Sequence, residues 1–364
     1  NPTNAMRSNS VWMIESTETS AKKEFYYREL GLYNLVTSSS LSFSKLLSRL
    51  SQNFTSTLAY SEHFDSEIVN DVVIDGNVFN DGCGMLSVEL MKEICHKLNK
   101  DVYASAIQIR YKGAKGVLVV SPDIHDRKIM LTKSMVKFNC NNTNDLEIIR
   151  FSRYSPGYLN LQIIILLILN GIKKKTIFKY AKKEVASYRV KKGITTNKTV
   201  SMQFEKVIKD IEKQDTMLLN TKDYMTTIAR SAYIYNRLSN ISKRYRFHLK
   251  NCAFLIGVFD FSGTLNENEV FVQITKPSGK KTVITGDVII TKNPCLSGYD
   301  IQKVKAVSHP YFVDYFENVV VFPSKGLFPL PSMITGSDLD GDVYWVCWER
   351  ALLNIEKRNY KLKP

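Results

Sequence analysis

The sequence predicts an α+β chain in which two β-rich blocks are separated by a helical stretch. Short runs of β-branched and aromatic residues, punctuated by Gly, Pro and Asn-Asp-Gly turns, occupy residues 72–150 and again 251–350. From 151 to 250 the apolar residues recur at helical spacing instead. The composition, 364 residues at 44% hydrophobic and 23% charged, suits a globular chain long enough for two or three cores and excludes disordered and fibrous classes.

Taken in order, residues 1–71 are rich in Ser, Thr, Asn and aromatics and read as short helices and loops. Asp75-Gly76-Asn77 and Asn80-Asp81-Gly82 supply turn chemistry. A helix follows, with Ser87 as its N-cap. Strands are expected at Ala106–Tyr111, Gly116–Val120, Lys128–Leu131 and Ser134–Phe138. In the connector, Leu159–Gly171 reads as a buried helix, followed by a basic stretch and by helices at Met202–Leu219 and Tyr224–Leu238. Strands return at Ala253–Phe259, Val270–Thr275, Val283–Thr291, Val319–Phe322 and Val343–Trp348, and 351–364 begins a further C-terminal region. The chain opens on Asn1 and stops soon after its most acidic motif, so it reads as a fragment of a longer protein.

Fifty Lys and Arg against thirty-five Asp and Glu give a net charge of +15, which favours polyanionic partners. The excess is uneven. Residues 1–100 carry nine basic and twelve acidic side chains, so the remainder carries a net +18. Ten basic residues between Lys173 and Lys198 face one acid, Glu184, which suits either a solvated helix face or a phosphate-tracking surface. Six Cys without CxxC spacing suggest neither a disulfide framework nor a zinc site, and point to a reducing, intracellular compartment. The longest apolar run, Ile163–Leu169, is too short for a membrane span.

The sharpest feature is Gly336-Ser-Asp338-Leu-Asp340-Gly-Asp342. In an extended strand the outer two carboxylates would sit roughly 13 Å apart, too far to share one ion. Gly336 and Gly341 permit the chain to curl. Curling brings like charges together at about 4 kcal/mol per pair for an effective dielectric near 20, a cost that a cation offsets. Hard oxygen ligands select Mg²⁺, Mn²⁺ or Ca²⁺. A solvated turn is the bland alternative, but hydrophobic strands flank the motif on both sides. An EF-hand is the other, but it needs Gly where Val343 stands, and Pro329 and Pro331 break its entering helix. A Mg²⁺ site in a basic chain suggests phosphoryl or nucleotidyl transfer. Ser278-Gly-Lys-Lys-Thr282 is only a partial P-loop, and His309 beside Pro310 reads as a loop residue rather than a base.

The segments Val319-Val-Val-Phe-Pro-Ser-Lys-Gly326 and Gly336-Ser-Asp-Leu-Asp-Gly-Asp-Val-Tyr-Trp-Val-Cys-Trp348 closely resemble the catalytic region of the cell-encoded RNA-dependent RNA polymerases of eukaryotic RNA silencing. Phe79-Asn-Asp-Gly82 with Leu86-Ser87, Gln108-Ile-Arg-Tyr-Lys-Gly-Ala-Lys-Gly116, Ser134-Met-Val-Lys-Phe138, Leu159-Asn-Leu-Gln162 and Gly286–Leu296 are similar to further segments of that family, in the same order. The resemblance covers roughly 72–350. It implies two double-psi β-barrels joined by a helical connector, with Asp338, Asp340 and Asp342 binding catalytic Mg²⁺ or Mn²⁺. It further implies Lys115, Lys137, Arg110 and Lys292 as nucleotide or phosphate ligands. The implied partners are a single-stranded RNA template, ribonucleoside triphosphates and silencing proteins such as Dicer or Argonaute, with no membrane. Leu327-Phe-Pro-Leu-Pro331 departs from the family's usual Arg-Pro-His-Pro, as do Lys112, Leu161 and Glu349 from its usual residues. Two other readings stand beside this one: a catalytically weak or inactive polymerase-like nucleic-acid-binding domain, and a DNA-templated single-chain RNA polymerase.

Overall fold

The computed structural model describes residues 42–50, 55–100, 103–138, 140, 144–187, 190–191, 194–195, 239, 241 and 243–355. The helices expected at 202–219 and 224–238 lie outside them.

The first β block is a seven-stranded sheet. Its strands are β1 (Leu58–Tyr60), β2 (Asp65–Val69), β5 (Cys83–Ser87), β6 (Ala106–Tyr111), β7 (Ala114–Ser121), β8 (Lys128–Thr132) and β9 (Leu146–Phe151), in the order β1-β9-β6-β7-β5-β8-β2. A small hairpin, β3 (Val73–Ile74) with β4 (Asn77–Val78), lies outside it. Pairing is parallel for β5–β7 and β2–β8 and antiparallel for β6–β7, β6–β9 and β5–β8. β1 and β2 fall within the stretch expected to hold only helices and loops. Each is short, and β2 is exposed and charged, so neither carries an apolar alternation to announce it.

Helix α1 (Phe43–Leu50) precedes this sheet, and α2 (Val88–Lys97) lies within the block. The Ser87 hydroxyl accepts the Leu90 amide at 3.2 Å, as the N-cap expectation required. Leu90, Met91, Ile94 and Cys95 of α2 join Ile107, Ile109, Leu118 and Val120 in one buried core. Ser134–Phe138, expected as a strand, is instead a 3-10 turn at Lys133–Met135 followed by a single bridge between Ala114 and Val136. Polar contacts displace the ladder there: the Ser134 amide donates to Asp71 and its hydroxyl accepts the Gly82 amide.

The second block comprises β13 (Phe247–Phe259), β14 (Glu269–Thr275), β15 (Lys281–Val283), β16 (Gly286–Lys292), β17 (Gln302–Ala306), β18 (Val319–Phe322) and β19 (Val343–Cys347). The pairings run β13-β18-β14-β17-β16-β19, and a further pairing of β13 with β19 closes these six strands into a barrel. β15 hangs on β14 as a hairpin whose turn contains the Ser278–Lys280 stretch of the partial P-loop. His309 caps the short helix α5 (Pro310–Val313), its Nδ1 accepting the Tyr311 amide at 3.2 Å; α5 follows the connector helices in the chain.

The connector begins with a strand, β10 (Ser155–Leu159), which pairs with β13. Then come α3 (Leu161–Leu169), α4 (Lys174–Ser187) and a hairpin of β11 (Val190–Lys191) with β12 (Ile194–Thr195). α3 is only half buried: Ile163, Ile164, Leu166 and Leu167 face inward, while Leu161, Ile165 and Leu169 are exposed.

The chain divides into two compact units. The first is Asn1–Ser155, Phe254–Val288 and Val304–Tyr344, and the second is Pro156–Ala253, Ile289–Lys303 and Trp345–Pro364. Within the second, the Trp345 indole donates to the Tyr158 carbonyl at 3.0 Å, and Asn170 donates to the Gly298 carbonyl at 3.0 Å. Within the first, Gly257 packs face to face with Tyr344, whose ring would stand 2.4 Å from any added Cβ. Tyr344 is fully buried and its hydroxyl is fixed by two hydrogen bonds, so it cannot yield. Gly257→Ala is therefore expected to destabilise the protein by about 1–3 kcal/mol, read from the midpoint of a denaturant titration.

Candidate functional site

Between β18 and β19 the chain passes through a 3-10 turn at Leu330–Met333 and reverses at Thr335 and Gly336, both in the left-handed region (φ 57° and 62°). The loop carrying the three carboxylates follows. Leu339 points inward and is 1% exposed, and its amide donates to the Asp81 carbonyl at 2.8 Å. The Tyr344 hydroxyl lies 2.9 Å from both Ser337 Oγ and the Asp338 carbonyl. The Asp342 carbonyl accepts the Gly257 amide at 3.2 Å. One buried aliphatic, one buried phenol with its two hydrogen bonds and two main-chain bonds thus hold the loop curled, leaving Asp338, Asp340 and Asp342 to converge. An oxygen from each lies within 4.8 Å of the others. The amides of Asp338 and Asp340 donate, each at 3.3 Å, to the side chains of Asp342 and Asp338.

β6 and β7 present the opposite charge. Along β6 the side chains alternate: Ile107, Ile109 and Tyr111 enter the core, so Gln108 and Arg110 occupy the other face. Arg110 stands directly opposite Lys115 on β7. Two cations so paired repel each other, and the Asp loop relieves that repulsion. Lys115 Nζ sits 2.5 Å from Asp340 Oδ2, with both side chains about three-quarters buried. The Arg110 guanidinium donates to the Ile109 carbonyl at 2.9 Å. Burial works against its charge while the Asp340 carboxylate favours it.

Gly82 and Gly341 let these parts touch. A Cβ on Gly82 would lie 2.6 Å from Asp340 Cβ, and one on Gly341 would lie 1.8 Å from the Gln108 amide nitrogen. Gly341 also has φ 128°, open to glycine alone.

The electrostatics follow from this packing. Burial, then Asp340 and Asp342, push the Asp338 carboxyl up to about 7. Burial acts upward most strongly on Asp340 as well, but the Lys115 ammonium, the hydrogen bond with Asp338 and the Arg110 guanidinium together outweigh it and hold that carboxyl below its usual range. Asp338 is therefore the group that holds a proton near neutrality, and its negative form awaits a cation. Three hard oxygen donors with uncompensated charge fit a divalent ion such as Mg²⁺ or Mn²⁺.

The expected site residues divide by position. Lys115 and Arg110 come together with the Asp trio. Lys137 approaches a neighbouring carboxylate, Asp81, which burial raises and Lys137 lowers, while its ammonium donates to the Ser134 carbonyl. Lys292 ends β16 in the second unit, where its assignment rests on the resemblance alone. Gly341, expected to permit a tight or left-handed turn, has a positive φ, and so does Gly336, expected only to loosen the entry. Sequence reasoning gave Gln108 and Asp81 no role in the site, Asp81 reading only as a turn residue and Gln108 only as part of a family-like segment. Gln108 donates to the Asp340 carbonyl at 3.1 Å. Its signal was the alternation of Gln108 with Arg110 on one strand face.

A raised carboxyl pKa means that the folded chain keeps a proton the unfolded chain, with Asp near 3.8, has already released. Stability therefore drains away as pH rises from about 4 to 7, unless a cation replaces the proton. Added Mn²⁺ is expected to raise Tm more at pH 8 than at pH 6, with affinity weakening toward about tenfold per pH unit below 7. Asp338→Asn should flatten that pH dependence; equal shifts in the wild-type protein at both pH values would contradict the proton assignment.

Comparison with known proteins bears on the family. The family model described as RNA dependent RNA polymerase matches residues 2–364. RNA-dependent RNA polymerase 1 of Arabidopsis thaliana is 31% identical over 382 residues, covering 99% of this chain and 33% of that protein. RNA-dependent RNA polymerase 1 of Schizosaccharomyces pombe is 30% identical over 348 residues, covering 86% of this chain and 28% of that protein. The chain thus spans about a third of the length of these relatives. Among solved structures, the RNA dependent RNA polymerase QDE-1 from Thielavia terrestris superposes with a TM-score of 0.74 at 24% identity, over 88% of this chain and 40% of that one, a likeness of fold.

Proposed function

Since the chain belongs to the RNA-dependent RNA polymerase family, we propose that it is the catalytic core of an enzyme that synthesises complementary RNA on a single-stranded RNA template in RNA silencing. The observation that carries this reading is the convergence of three carboxylates within 4.8 Å, bounded by Lys115 on β7. In this reading the two β blocks are the family's double-psi barrel pair, with the connector helices between them.

Asp338, Asp340 and Asp342 would hold Mg²⁺, with Mn²⁺ as the alternative. When bound, the ion supplies charge neutralisation at the triphosphate and acidifies the attacking hydroxyl. The 3′-hydroxyl of the growing strand gives up its proton to solvent and attacks the α-phosphate of a ribonucleoside triphosphate; a P–O bond forms, the bond between the α-phosphorus and its bridging oxygen breaks, and pyrophosphate departs with that electron pair. Lys115 orients Asp340 and, with Arg110, lowers the cost of bringing a polyanion beside three carboxylates. Lys137 and Lys292 are the further phosphate ligands. α4 supports template binding: Lys174, Lys175, Lys179, Lys182 and Lys183 are all exposed on it, as is Phe178. No helix among the described residues is long and apolar enough to cross a membrane. The setting this function implies is intracellular, with silencing proteins such as Dicer or Argonaute as partners.

The test is Mg²⁺-dependent incorporation of labelled ribonucleotides by the full-length protein, on single-stranded RNA and on single-stranded DNA in parallel. Incorporation on RNA that Asp340→Ala reduces to background is the expected result. Retained activity in that variant would sink the metal assignment, activity on DNA alone would favour the DNA-templated reading, and RNA binding without incorporation the inactive one. Lys115→Ala is expected to lower kcat/KM about a hundredfold, on the order of 2.7 kcal/mol of transition-state stabilisation.

A further inference from the structure

We propose that Gln108 is a positioning residue for this reaction, its carboxamide fixing the peptide between Asp340 and Gly341 and so the aim of the Asp340 carboxylate. The inference rests on the polymerase reading above. Gln108 is rooted in β6 between two core residues, Ile107 and Ile109, which are both fully buried. Its backbone is paired with Val117 in the β6–β7 ladder, and its side chain emerges on the face that carries Arg110. From there Nε2 donates to the Asp340 carbonyl at 3.1 Å.

The packing is as specific as the bond. A Cβ on Gly341 would come within 1.8 Å of Gln108 Nε2 and 2.4 Å of its Cδ. The amide therefore fills the space a side chain at 341 would take, and lies against the apex of the loop. An amide so placed resists rotation of the apex peptide, which would otherwise swing Asp340 away from Asp338 and Asp342. Lys115 pulls the Asp340 carboxylate toward β7 from the other end, so the residue is held at both its main chain and its side chain.

The arrangement has a cost that a purely space-filling residue would avoid. Gln108 Oε1 is sealed from solvent and has no hydrogen-bond partner among the described residues. A buried acceptor left unsatisfied opposes folding, whereas Met or Leu would fill the same volume without that penalty. What the amide supplies in exchange is the directed bond to Asp340.

Gln108→Met keeps the length and removes the bond. The full-length variant is expected to melt within a few degrees of wild type, yet to bind Mn²⁺ about 10–100-fold more weakly when titrated by electron paramagnetic resonance without nucleotide. Its kcat should fall by a similar factor while KM for the nucleotide stays unchanged. Gln108→Asn retains an amide but falls one methylene short of Asp340, so it should behave like the Met variant; it serves alone if that variant does not fold. Wild-type Mn²⁺ affinity and kcat in either folded variant would overturn the inference. If Asp340→Ala is inactive while Gln108→Met is unaffected, the positioning role fails and the polymerase reading stands. If Asp340→Ala stays active, the polymerase site itself is misassigned.

Discussion

Three carboxylates gathered within 4.8 Å repel one another, and the architecture around them is the means by which that repulsion is contained. Containment comes from two directions. Apolar burial curls the loop: Leu339 and Tyr344 are sealed inside, and the strands on either side, β18 and β19, are nearly all buried. Charge from β6 and β7 then offsets part of the repulsion, with Lys115 against Asp340 and Arg110 nearby. Burial first, and then the remaining repulsion from Asp340 and Asp342, still push the Asp338 carboxyl up. A site neutralised completely by its own lysines would have little affinity for a divalent ion.

The same interaction accounts for an arrangement on the first sheet that would otherwise be unfavourable. Arg110 and Lys115 face each other directly across an antiparallel pair. Like charges in that position destabilise a sheet. Here the Asp loop lies against that face, so each side of the site relieves the charge of the other. The glycines at 82 and 341 allow this approach, since a methyl group at either position would overlap Asp340 or Gln108.

A good part of this was legible in the chain. The α+β class, the N-cap at Ser87, the strand Val319–Phe322 and the acidic loop with its two glycines follow from spacing, turn chemistry and the mutual repulsion of neighbouring carboxylates. The match of ordered motifs identified the family. Other elements had no local signal. β1 and β2 are too short and too exposed to show alternation, and β17 reads Gln-Lys-Val-Lys-Ala, with only two buried positions. Ser134–Phe138 has a strand-like composition, but contacts with Asp71 and Gly82, distant in sequence, convert it into a turn.

Sequence by itself determined which residues could bear the chemistry, because three Asp at alternate positions, with Leu339 and Gly341 between them, admit few other uses. Only the tertiary structure decided how that chemistry is balanced. Lys115 lies 225 positions before Asp340, and Gln108 lies 232 before it. No periodicity in the chain links positions so far apart. Their contacts arise from the pairing of β6 with β7 and from the close approach that Gly82 and Gly341 permit, and these set which carboxyl keeps its proton and which is held ionised.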